Sequence, residues 1–262
     1  MIEVTFDQLQ TWLAMFLWPF TRITAFFAAS PLWGHSSVPN EAKVGLAALI
    51  AIVISPALPP LPPVPIMSWG GLGIIVEQII IGVSIGMVMQ FTFGIVQAAG
   101  AFIGLKMGLA FANFFDPGSG TNIAVLSRIL FTIALIMFLA LNGHLIVLEI
   151  LATSFQTLPI GLGGFNPDAF ELLARYSGVV FTSGMLLALP VVAPLVIVSI
   201  GLGILNRASP QLTVFSIGFP TSLIFGLVLL MVMMAHYGGF LERIFTHALS
   251  MQQRLLDMLA PL

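Results

Sequence analysis

Leu205-Asn206-Arg207-Ala208-Ser209-Pro210-Gln211-Leu212 is a polar island in an apolar sea. Arg207 is the only charge between Tyr176 and Leu241, a gap of 66 residues. About 20 apolar residues cross a hydrocarbon core, so this gap is too long for one helix and too greasy for a hydrated surface. It reads as two apolar helices joined by a hairpin turn at the island.

The rest of the chain agrees. Of 262 residues, 59% are hydrophobic and 7% charged, and the mean hydropathy is +1.11. A soluble domain carries about 25% charged residues, so this chain cannot clothe itself in water, and its composition predicts an all-α polytopic membrane protein. The net charge is −2 with no basic block, which excludes a nucleic-acid partner on electrostatic grounds. Cysteine is absent, removing disulfides, thiolate metal sites and cysteine nucleophiles. Glu3 and Asp7 make the N-terminus acidic where a cleavable signal needs basic residues. The first apolar stretch is therefore expected to stay in the mature protein.

Charge-free runs cover residues 44–76, 78–105, 129–148, 176–206 and 208–241, and an earlier apolar stretch, 9–32, carries Arg22 near its centre. Six hydrophobic helical zones result, give or take one, forming a single helical membrane domain over 1–262. Pro56, Pro59, Pro60, Pro62, Pro63 and Pro65 make a stiff extended connector, since proline fixes φ and supplies no N–H. Further breaks fall at Asp116-Pro117-Gly118-Ser119-Gly120 and at residues 158–167, where Asn166 before Pro167, with Asp168 following, signals a helix start. From about 240 to 259 the pattern is amphipathic. Leu241, Ile244, Phe245, Ala248, Leu255 and Leu259 share one face, while Glu242, Arg243, Gln253, Arg254 and Asp257 take most of the other. Docking on a partner and lying at the membrane interface are both open for this tail.

Catalytic constellations are not found. His35, His144, His236 and His247 lack metal spacing, and no GxSxG, Walker loop or dinucleotide fingerprint occurs. No catalytic, cofactor-binding or metal residue is assigned. Arg22, Glu77, Lys106, Arg128, Glu149 and Arg207 interrupt or border the apolar segments. A mid-bilayer charge costs about 2.5–3.5 kcal/mol on insertion scales, so each needs a partner, a cavity or an interface. Being single, scattered and of both signs, they suit salt bridges between subunits better than a proton relay. The basic residues do not alternate cleanly between loops, so the positive-inside rule decides little about orientation.

Gly82 and Gly86 form one GxxxG; Gly100, Gly104 and Gly108 form two more. Glycines four apart share a helix face and admit a second helix closely. This register ends at a segment of about 106–122 that combines Lys106, Met107, Phe111, Phe114, Phe115, Asp116, Pro117, Gly118 and Gly120. In a channel such a segment closes a central cavity sterically; as an interfacial loop its aromatics anchor the chain. The residues alone leave both readings open.

Gly104-Leu105-Lys106-Met107-Gly108-Leu109-Ala110-Phe111-Ala112 followed by Phe115-Asp116-Pro117 resembles the middle motif of the FliR family, flagellar type III export-gate proteins. Leu141-Asn142-Gly143-His144 and Leu158-Pro159-Ile160-Gly161 look like further landmarks. The stretch bearing Asn206, Arg207, Pro210 and Gln211, then Gly218, Phe219 and Pro220, is similar to the family's most recognisable segment. The landmarks keep family order along the whole chain. Lys106 departs from them, standing where many relatives carry glutamine, so an uncharged plug base is not implied.

The resemblance implies kinked helical hairpins assembled with FliP-like and FliQ-like subunits into a helical, cone-like export gate, partly raised above the membrane plane. It implies FlhB-like and FlhA-like components nearby, unfolded flagellar proteins as cargo, and the bacterial inner membrane at the flagellar basal body, with lipid around it. It places the segment matching 106–122 in the pore as a plug, and implies neither enzymatic activity nor a cofactor. A competing class, a secondary transporter for a small solute, shares the greasiness and the helix-breaking Gly and Pro.

Overall fold

The computed structural model describes residues 6–109, 125–208 and 218–260. Among the described residues the regular structure is helical: α1 (Phe6–Ala29), α2 (Asn40–Ile54), α3 (Trp69–Lys106), α4 (Val125–Ala140), α5 (Gly143–Thr157), α6 (Pro167–Ser177), α7 (Val179–Ala208) and α8 (Phe219–Leu259). Five stretches are long and apolar enough to cross a membrane, or six if the broken pair α4 and α5 counts as one span. The chain is an all-α polytopic membrane protein.

Local chemistry sets the boundaries. Ile54 gives way to a short 3-10 turn, Ser55–Ala57, and the prolines that follow forbid helix until Ser68. There the Ser68 hydroxyl accepts the Gly71 N–H at 3.1 Å and donates to the Pro65 carbonyl at 2.6 Å, a serine N-cap that starts α3. Asn166 plays the same part for α6, its Oδ1 accepting the Asp168 N–H at 3.0 Å. Asn142, at φ 56° and ψ 20°, separates α4 from α5; asparagine is among the few side chains that tolerate this left-handed conformation. The run 44–76 is thus divided between α2, the proline connector and the start of α3. The run 129–148 is divided at Asn142. Glu77, expected to border two spans, lies inside the unbroken α3.

The chain divides into two compact units. Unit 1 holds Met1–Phe91, Asn142–Ser177 and His247–Leu262; unit 2 holds Thr92–Leu141 and Gly178–Thr246. Helices α3 and α8 therefore each contribute to both.

In unit 1, Trp18, Ile23, Phe26, Phe27, Ile74, Ile85, Leu151 and Phe155 are buried. The Phe27 and Trp33 rings stack at 5.2 Å. The amphipathic tail is the last part of the 41-residue α8 and not a separate helix. Its face at Ala248, Leu255 and Leu259 is buried, and Gln252 Nε2 donates to the Ile85 carbonyl at 3.0 Å. This face is covered by its own chain, in contrast to the two placements open from sequence.

Unit 2 is built on Phe93, Phe131, Phe138 and Phe245, whose ring centroids lie 5.1 to 5.6 Å apart in the pairs that touch. The Tyr237 hydroxyl donates to the Leu130 carbonyl at 2.9 Å, fastening α8 to α4.

Candidate functional site

Three places carry the polar or special residues of this apolar chain. The first is Arg22, fully buried in unit 1. Its Nε donates to Gln78 Oε1 at 2.8 Å, Nη1 to Ser154 Oγ at 3.0 Å and Nη2 to the Leu158 carbonyl at 2.8 Å. The guanidinium carbon stands 4.1 Å from the centroid of the Phe155 ring. All three acceptors are neutral. The charge is held by hydrogen bonds and a π face, the combination a planar, weakly hydrated guanidinium suits best. Instead of reaching a neighbouring subunit, this cation is satisfied inside its own chain.

A carboxylate holds the same loop further along. Glu77 Oε1 accepts the Gly164 N–H at 3.0 Å, and Gly164 is left-handed at φ 73°. Arg22 grips the carbonyl at residue 158 and Glu77 the amide at 164, so opposite charges hold opposite backbone groups of one short loop. Between them Leu162 leans on α3: a Cβ added at Gly73 would stand 2.9 Å from Leu162 Cδ2. In the sequence Glu77 and Gln78 stand out as a polar pair splitting an apolar run. Ser154, Phe155 and Leu158 carry no comparable mark.

The glycine register is the second feature. A Cβ at Gly82 would meet the Arg22 carbonyl and, at 2.9 Å, the Phe26 nitrogen; at Gly86 it would stand 2.7 Å from Ala29 Cβ. Helices α1 and α3 thus approach backbone to backbone just where Arg22 is carried. At Gly100 the obstacle would be the backbone of Ser127, whose hydroxyl donates to the Gln97 carbonyl at 2.8 Å. Gly104 differs, since among the described residues an added Cβ there would find Leu109 and Leu126 side chains, at 3.9 and 4.0 Å. Gly108 does not face a helix but ends one: at φ 82° it leaves α3, its N–H donating to the Leu105 carbonyl at 3.2 Å, a glycine stop.

The third place is where α3 ends. Lys106 is exposed, and Met107 is buried against α8. A Cβ at Gly226 would lie 2.5 Å from Met107 Cγ and 2.9 Å from its Sδ and Cε. A glycine notch on α8 therefore seats the methionine from which the chain departs. Phe111, Phe114, Phe115, Asp116, Pro117, Gly118 and Gly120 lie outside the described residues, as do Pro210 and Gln211. Of the hairpin motif, Arg207 is exposed and Asn206 half-buried at the end of α7; Gly218 is buried, with Phe219 and Pro220 opening α8.

Lys106, Arg128, Glu149 and Arg207 are all exposed. Among the described residues the ion pair within salt-bridge distance is Arg175 with Glu171, 2.6 Å apart on the exposed face of α6. Such a pair is worth only a few tenths of a kcal/mol. Among the same residues no three His, Asp or Glu side chains gather as metal ligands do.

Residues 13–248 match the family described as bacterial export proteins, family 1. The chain is 40% identical over 262 residues to the flagellar biosynthetic protein FliR of Escherichia coli (strain K12), covering 100% of this chain and 99% of that protein. It is also 40% identical over 249 residues to FliR of Pectobacterium carotovorum subsp. carotovorum, covering 95% of each. FliR of Bacillus subtilis (strain 168) is 29% identical over 252 residues, covering 93% of this chain and 95% of that one.

Proposed function

Because the chain belongs to the bacterial export proteins, family 1, we propose that it is a non-enzymatic subunit of the flagellar type III protein-export gate. In this reading it lies in the inner membrane at the flagellar basal body. With FliP-like and FliQ-like subunits it lines the pore for unfolded flagellar proteins, beside FlhB-like and FlhA-like components. The segment 106–122 closes that pore, Gly82, Gly86 and Gly100 bring helices together, and the turn at Arg207 serves assembly.

One observation supports a subunit over a solitary protein. Among the described residues the second half of α7 finds little cover: Ile197 is 71%, Ile200 60% and Ile204 68% exposed, and an added Cβ at Gly201 or Gly203 would meet nothing within 4 Å. A helix bare on successive turns, notched by glycines and ending in an arginine is built to be surrounded. Buried polar groups meanwhile tie the chain together: Arg22 donates to Gln78 Oε1, and Gln252 Nε2 donates to the Ile85 carbonyl.

The test is to express the chain with and without FliP-like and FliQ-like partners, and to follow both by native mass spectrometry and by rescue of motility in a strain lacking its own FliR. The reading expects a stable hetero-oligomer, instability of the chain alone, and rescued export. A solitary, well-folded chain that binds and carries a small solute would instead establish a transporter.

A further inference from the structure

We propose that the outer face of α4 is a binding site for an anionic phospholipid, with the Arg128 guanidinium on the headgroup phosphate and one acyl chain along Ile129, Ile133 and Ile136. An open groove of about 280 Å³ lies on this face, lined by Val125, Arg128, Ile129, Thr132 and Ile133. Its volume suits a length of hydrocarbon chain, not a folded segment.

The order of groups along the helix is that of an amphiphile. Arg128 is the fourth residue of α4, one turn from its start. Below it Ile129, Ile133 and Ile136 remain 49%, 37% and 62% exposed, a stripe reaching about 12 Å further along the axis at about 1.5 Å per residue. An arginine near the end of an apolar helix extends its head to the phosphate level while its stem stays among hydrocarbon. The other polar group in the groove is already engaged, because the Thr132 hydroxyl donates to the Arg128 carbonyl at 2.8 Å. The site therefore offers a single cation above an aliphatic wall.

Charge sets the sign of the ligand. Among the residues of unit 2, Lys106, Arg128, Arg207 and Arg243 are countered only by Asp116 and Glu242. Among the described residues no carboxylate pairs with Arg128. An anion from outside the chain completes it.

Packing favours lipid over a second protein helix. At Gly82 and Gly100 the absence of a side chain admits the backbone of a neighbouring helix. The outer face of α4 has no glycine. Its branched side chains instead present the uneven aliphatic surface that a flexible acyl chain fits.

The test uses the chain with its co-purifying partners, extracted from membranes and equilibrated with equal phosphatidylglycerol and phosphatidylcholine. Native mass spectrometry then counts retained lipid. The wild type should hold phosphatidylglycerol over phosphatidylcholine by about fivefold, the effect of one basic residue at an anionic surface. Arg128→Ala should bring the ratio to parity, whereas Arg128→Lys keeps most of the preference because the charge remains. Equal retention by wild type and Arg128→Ala overturns the proposal. Loss of a protein subunit from Arg128→Ala with lipid retention unchanged also overturns it, and makes the face a protein interface.

Discussion

Arg22 on α1 and Gln78 on α3 are fully buried and joined by a 2.8 Å hydrogen bond, guanidinium to side-chain carbonyl, with no carboxylate among the guanidinium's hydrogen-bond acceptors. A buried charge without hydrogen bonds would cost several kcal/mol. Here Ser154, the Leu158 carbonyl and the Phe155 ring supply the rest of the compensation, and the cation becomes the tie between α1, α3 and α5.

Arg22→Ala leaves three acceptors without this donor and opens a cavity, and should destabilise the chain by about 3–5 kcal/mol. Arg22→Met fills the space but makes no bonds, so it should fall between wild type and alanine. Thermal unfolding in detergent reads the order. Equal melting of Arg22→Ala and wild type would show that the node carries no stability.

Gly82→Ala places a Cβ against the Arg22 carbonyl and the Phe26 amide, and rigid backbone cannot step aside. A loss of about 1–3 kcal/mol is expected. Gly104→Ala meets ordinary contacts at 3.9 and 4.0 Å and gains helix propensity of about 1 kcal/mol. The two alanines should therefore shift the melting temperature in opposite directions; a common shift rules out the close approach as the cause.

Met107 is seated against Gly226 at the point where Gly108 turns the chain out of α3. If the segment beyond it is the plug, deleting residues 114–120 from the assembled gate should raise its ion conductance in planar bilayers while subunit composition stays the same. Conductance equal to that of the intact gate removes the plug role.

Arg207 is exposed at the end of the bare half of α7. Arg207→Ala should weaken assembly, seen as subcomplexes in native mass spectrometry, because it deletes the single charge in that helix. Its own fold should be unchanged, since no hydrogen bond or ion pair ties Arg207 to the described residues. Full, equally stable complexes would dismiss an assembly role.

Much of this fold is legible in local sequence because local rules set it. Ser68 and Asn166 cap helices with their own side chains, and the alternation of Leu255 and Leu259 with Arg254 and Asp257 marks a buried and an open face. What the alternation does not encode is the surface that buries it. Gln252 finds the Ile85 carbonyl 167 residues away, and Arg22 finds Ser154 132 away; helical periodicity is silent on such pairings. Charge-free runs mislead at Glu77 for a related reason. A carboxylate whose partner is a loop amide can sit within a continuous helix, so counting charges cuts α3 where the backbone does not break.

The uninterrupted course of α3 has a geometric corollary. Its 38 residues, at about 1.5 Å each, measure about 57 Å, while a bilayer's oily slab is about 30 Å thick. Even at a tilt of about 40°, the upper end for spanning helices, that length reaches about 44 Å along the membrane normal and extends beyond the hydrocarbon.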